Sequence, residues 1–108
     1  MEEKDIVRAL AALAHASRLQ VFRSLVVAGR RGATPGQLGE LLGLPNATLS
    51  FHLKELMNAA LITQERSGRS LIYRADFTRI NNVLAELTRN CCQGAQDCLD
   101  PQAISCAC

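Results

Sequence analysis

Gly43-Leu44-Pro45-Asn46-Ala47-Thr48-Leu49-Ser50-Phe51-His52-Leu53-Lys54-Glu55-Leu56-Met57 is the stretch on which the fold turns. Pro45 can open a helix, and Leu49, Leu53, Leu56 and Met57 then recur at i, i+4, i+7 and i+8, which marks one buried face. Just upstream, Thr34-Pro35-Gly36-Gln37 has the form of a capping box with Pro after the cap. The short helix it starts carries Leu38, Leu41 and Leu42 and stops at Gly43. Two helices joined across Gly43-Leu44-Pro45 form a helix-turn-helix, whose second helix enters the major groove of DNA. Such a helix needs short polar side chains on its outer face, and Asn46, Thr48 and Ser50 fall there. On pattern alone the same three also read as an ordinary solvated helix face.

Working outward, Leu61-Ile62-Thr63-Gln64-Glu65-Arg66 and Arg69-Ser70-Leu71-Ile72-Tyr73-Arg74 are β-rich runs on either side of Ser67-Gly68, the pattern of a hairpin. A basic hairpin beside a helix-turn-helix is a wing, and Arg66 and Arg69 at its tip suit phosphates or the minor groove. Toward the N-terminus, Ile6, Leu10, Leu13 and Ala14 recur at helical spacing. Ser17-Arg18-Leu19-Gln20 then reads as a second capping box, starting a helix with Leu19, Phe22, Leu25 and Val26 that ends at Gly29. A last helix from about Phe77 to Asn90 carries Ile80, Val83, Leu84 and Leu87. The apolar stripes of the first and last helices exceed what one small core can cover, which points to a homodimer. The expected fold class is mainly α with a β-hairpin wing, a homodimeric winged helix-turn-helix.

A chain of 108 residues with 48% apolar content suits one compact domain. The net charge of +2 is small, but Arg18, Arg23, Arg30 and Arg31 form one basic group and Arg66, Arg69 and Arg74 another. All five cysteines lie in residues 91–108, as Cys91, Cys92, Cys98, Cys106 and Cys108, where the only charges are Asp97 and Asp100. Disulfide scaffolds spread cysteine along the chain and use even numbers, whereas this set is odd and confined to one end. Met1-Glu2-Glu3-Lys4-Asp5 has no signal-peptide form, and no apolar run reaches the roughly 18 residues of a membrane span. The expectation is a cytoplasmic chain with reduced thiols and no membrane partner. It divides into a DNA-binding and dimerisation domain at 1–90 and a cysteine-rich tail at 91–108. No Cys/His pair, carboxylate pair or phosphate loop has a catalytic spacing, so an enzyme is not expected.

Leu13-Ala14-His15-Ala16-Ser17-Arg18-Leu19, the run from Leu44 to Leu56, and Ala60-Leu61-Ile62 with the wing together resemble the ArsR/SmtB family of metalloregulatory repressors. Ser50-x-His52-Leu53-Lys54-x-Leu56 is the most specific part of the match, which covers about residues 5 to 90. Pro45 stands where the family often has a polar cap, and Ala60 where Gly is common. The resemblance implies a winged-helix homodimer paired through its first and last helices. It also implies a palindromic double-stranded operator and repression relieved by an inducer. The candidate DNA contacts are Asn46, Ala47, Thr48, Ser50, Phe51, His52, Lys54, Arg66 and Arg69. His52 corresponds to the family's motif histidine, which reads as packed or phosphate-touching before it reads as a metal ligand.

Inducer sites in the family occur at several places. The third helix, Gln37-Leu38-Gly39-Glu40-Leu41, has no thiol, and residues 76–90 offer Asp76 and Glu86 but no histidine for a zinc or nickel site. No cysteine precedes Cys91, so a thiol pair between the second and last helices is also missing. Thiolates are soft ligands, and arsenite or antimonite takes three of them in a pyramid. Cys91, Cys92 and Cys98 are the three expected ligands, and their spacing is similar to the C-terminal Cys-Cys-x5-Cys of arsenic-responsive family members. On a continuous helix Cys98 would sit about 10 Å beyond Cys91, so the chain must turn, as Gly94 permits. Cys106 and Cys108 are secondary candidates for a second thiolate site or a frayed end. The expected function is therefore an arsenite-responsive repressor with antimonite as a second inducer and no organic cofactor. Oxidant sensing, cadmium, lead or zinc sensing, and a thiol-rich metal buffer stay open as alternatives.

Overall fold

The computed structural model describes residues 1–90. Five helices and one hairpin follow in the order α1 (Glu3–Leu13), α2 (Ala16–Ala28), α3 (Pro35–Leu42), α4 (Asn46–Asn58), β1 (Ile62–Ser67), β2 (Ser70–Ala75) and α5 (Phe77–Leu87). A single 3₁₀ turn, Gly29–Arg31, follows α2. The helices enclose a core of Val21, Phe22 and Leu25 from α2, Leu38 from α3, Leu49, Leu53 and Leu56 from α4, and Val83 from α5. Leu61, Ile62 and Tyr73 extend that core to the base of the hairpin.

Local signals account for most of the boundaries. The Thr34 hydroxyl accepts the Gln37 backbone N–H at 3.2 Å, and the Gln37 side chain accepts the Thr34 N–H at 2.9 Å, which is the capping box read in the sequence. α3 ends at Gly43, whose φ of 66° lets the Leu44 N–H return to the Gly39 carbonyl at 3.2 Å. Asp76 caps α5 by accepting the Arg79 N–H at 3.0 Å.

Three expectations about the helices are corrected. Ser17 is not a cap, because α2 already begins at Ala16. The break from α1 is made by His15, whose extended backbone at φ −149° and ψ 127° forms no side-chain cap bond. The last helix ends at Leu87 rather than near Asn90, where Thr88 donates its hydroxyl to the Leu84 carbonyl at 2.9 Å. Leu41 and Leu19, placed on buried faces by periodicity, are 70% and 45% exposed.

The hairpin is shifted one residue from its predicted limits, with Ser67 opposite Ser70 and Ile62 opposite Ala75, so Arg69 lies in the turn itself. It is fastened to the body by a short bridge in which the Ala33 N–H meets the Tyr73 carbonyl at 2.9 Å and the Tyr73 N–H meets the Ala33 carbonyl at 2.8 Å. Gly32 makes that approach possible: a Cβ there would come within 2.6 Å of the Tyr73 carbonyl oxygen, and its φ is +68°.

Between α4 and β1 the chain reverses through a Schellman arrangement. The Leu61 N–H bonds the Leu56 carbonyl at 3.1 Å and the Ala60 N–H bonds the Met57 carbonyl at 2.9 Å. This requires φ of 60° at Ala60, a left-handed conformation that costs an L-residue roughly 1–2 kcal/mol. Ala60→Gly relieves that strain at the expense of greater unfolded-chain entropy, so a net stabilisation of about 0.5–1 kcal/mol is expected. Chemical denaturation measures it as a higher midpoint with an unchanged slope.

Candidate nucleic-acid interface

Burial fixes the orientation of α4. Leu49, Leu53 and Leu56 are at most 2% exposed and face α2 and α3, which turns the opposite side of the helix outward. Asn46, Thr48 and Ser50 are exposed, as the sequence pattern required, and so are Ala47, Phe51 and Lys54. Phe51 is 54% exposed, an aromatic ring held in solvent on the same side as the polar residues. At the hairpin tip Arg66 and Arg69 are exposed and, among the described residues, form no ion pair. Arg74, in the same basic group, is instead structural: its Nε donates to the Arg30 carbonyl at 2.7 Å and its Nη1 meets Glu65 Oε1 at 3.1 Å.

His52 departs from the set of expected DNA contacts. It is 4% exposed, because its position three residues after Leu49 places it on the buried edge of α4. Its ring lies 4.8 Å from that of His15 and 5.9 Å from that of Phe51. The Arg18 Nε donates to His52 Nδ1 at 3.4 Å, and the Arg18 guanidinium sits 5.8 Å from the Phe51 ring centroid. The Arg18 Nη1 also reaches the Ala12 carbonyl at the end of α1, at 3.5 Å. Arg18 therefore joins α1, α2 and α4. Thirty-four positions separate it from His52, and no periodic or local signal links residues that far apart.

α1 and α5 lie together, with an ion pair between Asp5 and Arg79 at 3.9 Å. Val7 and Leu10 of α1 and Leu87 of α5 are 59%, 41% and 54% exposed. Among the described residues, no cluster of three or more His, Cys, Asp or Glu side chains is placed to hold a metal ion. Cys91, Cys92, Cys98, Cys106 and Cys108 lie outside the described residues.

A short helix, a tight turn, a second helix with an outward polar face and a basic hairpin define a winged helix-turn-helix. Comparison with known proteins agrees: a family model described as a helix-turn-helix domain matches residues 13–65. The arsenical resistance operon repressor of Bacillus subtilis is 33% identical over 91 residues, spanning 81% of this chain and 83% of that protein. The HTH-type transcriptional regulator NmtR of Mycobacterium tuberculosis is 33% identical over 83 residues, 76% of this chain and 66% of its own length. An ArsR-like transcriptional regulator from Rhodococcus sp. RHA1 superposes with a TM-score of 0.74 at 23% identity, covering 84% of this chain and 83% of that one. The chain belongs to the ArsR/SmtB family of transcriptional repressors, which are DNA-binding regulators.

The burial of His52 has a thermodynamic consequence. Desolvation first, then the nearby His15 and Arg18, hold its pKa below the ordinary 6.5. The unfolded chain therefore takes up a proton before the folded one as pH falls, so the contribution of His52 is complete above 6.5 and is lost as pH drops through the folded value. Unfolding by denaturant is expected to shift to lower midpoints as pH falls below 6.5. His52→Gln, which cannot titrate, should lose that component of the pH dependence.

Proposed function

We propose that the protein represses a promoter by binding its operator as a homodimer and is released when arsenite is captured by Cys91, Cys92 and Cys98. The observation that carries the DNA part is the division of α4 into a buried leucine edge and an exposed face of Asn46, Thr48 and Ser50 beside the exposed wing arginines. Asn46, Thr48 and Ser50 read base edges or phosphates, while Lys54, Arg66 and Arg69 supply phosphate affinity. Val7, Leu10 and Leu87 supply apolar surface for pairing through α1 and α5, which sets two copies of α4 against a two-fold symmetric site.

The inducer part rests on position and chemistry. The cysteines follow directly on the helix proposed to pair the protomers, so an ion that gathers three thiolates acts next to that interface. Three thiols and one arsenous acid give a tris-thiolate and three waters, with no change of oxidation state. Antimonite has the same preference. The shared ancestry with an arsenical resistance operon repressor supports the choice. Release requires the ion to bind the DNA-free conformation more tightly, by a factor equal to the loss of operator affinity.

Titration of a fragment of the protein's own promoter, with and without arsenite, antimonite, cadmium and zinc, tests this reading. Arsenite is expected to weaken binding, and Cys91→Ser with Cys98→Ser to abolish that response while leaving binding without arsenite intact. Binding that is indifferent to arsenite, or release by arsenite in the double variant, contradicts it. Release by peroxide that dithiothreitol reverses would point to oxidant sensing, and a response to cadmium or zinc alone to a different ion.

The wing makes a separate prediction. Arg66→Ala and Arg69→Ala are each expected to weaken binding about equally on all sequences and to lower the log–log salt slope by about one.

A further inference from the structure

We propose that Arg18 and His52 are a positioning pair that fixes the rotation of α4 about its own axis and so aims Asn46, Thr48 and Ser50. The leucines on the inner edge of α4 bury area, but apolar contact is non-directional and tolerates small rotations. A guanidinium is a rigid planar fork with directed N–H groups. From one position at the start of α2, Arg18 reaches the end of α1 through the Ala12 carbonyl, the buried edge of α4 through His52 Nδ1, and the exposed side of α4 through the Phe51 ring. Contacts to two successive residues of α4, one buried and one exposed, resist rotation in both senses.

The magnitude matters for reading bases. Turning a helix of about 5–6 Å radius by about 20° moves a surface side chain by roughly 2 Å, enough to break a hydrogen bond to a base edge. The pair works only while His52 is neutral with its proton on Nε2, leaving Nδ1 as acceptor. Protonation converts the acceptor into a second cation facing Arg18. The other charged or titratable groups on the elements around it are Arg8 of α1, His15 at the start of α2 and Glu55 on α4; Arg8, Arg18 and Glu55 line one cleft yet form no ion pair among the described residues.

This inference rests on α4 being the DNA-contacting helix, and the experiment separates the two. Full-length protein is titrated with its promoter fragment at about pH 8 and about pH 5.5 over a range of salt. Absence of wild-type binding at the higher pH defeats the DNA-contacting reading, and the pair with it. Given that binding, Arg18→Lys is expected to weaken it about tenfold with an unchanged salt slope, because charge is retained and only the fork is lost. Wild-type affinity is expected to fall several-fold at the lower pH, and His52→Gln, which cannot titrate, to flatten that profile. Wild-type affinity in Arg18→Lys, an unflattened profile in His52→Gln, or a salt slope reduced by about one in Arg18→Gln would overturn the pair, the last by making Arg18 a phosphate contact. Nitrogen-15 shifts of the wild-type histidines need no variant: His52 should carry its proton on Nε2, and an Nδ1–H tautomer contradicts the assignment.

Discussion

Burial of the leucine edge of α4 is the constraint on which the rest of the structure depends. Leu49, Leu53 and Leu56 have no alternative but the surface formed by α2 and α3, and once they are covered the helix has only one face left to present. That face is short-chained and polar at Asn46, Thr48 and Ser50. The functional surface is thus the complement of a packing solution rather than a feature added to it.

The wing is held by a second, smaller constraint. β1 leaves α4 through the left-handed turn at Ala60, and β2 is tied to the loop before α3 by the two hydrogen bonds between Ala33 and Tyr73. Arg74 adds a third tie through the Arg30 carbonyl. A two-stranded ribbon is marginal alone, so these attachments let the tip carry Arg66 and Arg69 in a defined place beside α4. Strain at Ala60 and a compulsory glycine at Gly32 are the local consequences of that placement.

The parts of this design that were legible in the sequence are those encoded locally. Thr34 and Gln37 form their box three residues apart, Gly43 supplies its own φ, and the α4 leucines repeat with the helical period. The same local logic failed at Ser17, where a capping sequence exists but the extended backbone of His15 has already started the helix at Ala16. Periodicity also could not show that Leu41 and Leu19 stay exposed, since that depends on which neighbours arrive. His52 was read as a possible DNA contact from its motif, yet its angular position beside Leu49 and Leu53 places it inward, where Arg18 from a distant helix meets it. The cysteines were the clearest chemical signal in the sequence and lie outside the described residues, so their role rests on composition and position.

The proposed function asks two things of one small domain: that α4 and the wing contact DNA, and that the exposed apolar residues of α1 and α5 pair the protomers close in sequence to the cysteines. Linking them requires that two copies of α4 be held at a fixed separation, since only then can a change near α5 alter operator affinity. Hydroxyl-radical footprinting of the metal-free protein on its own promoter examines this directly. The account predicts two protected half-sites on one face of the duplex, their centres about one helical turn, 10–10.5 base pairs, or a multiple of it apart. A single protected half-site, or protection with no such phase, would contradict it.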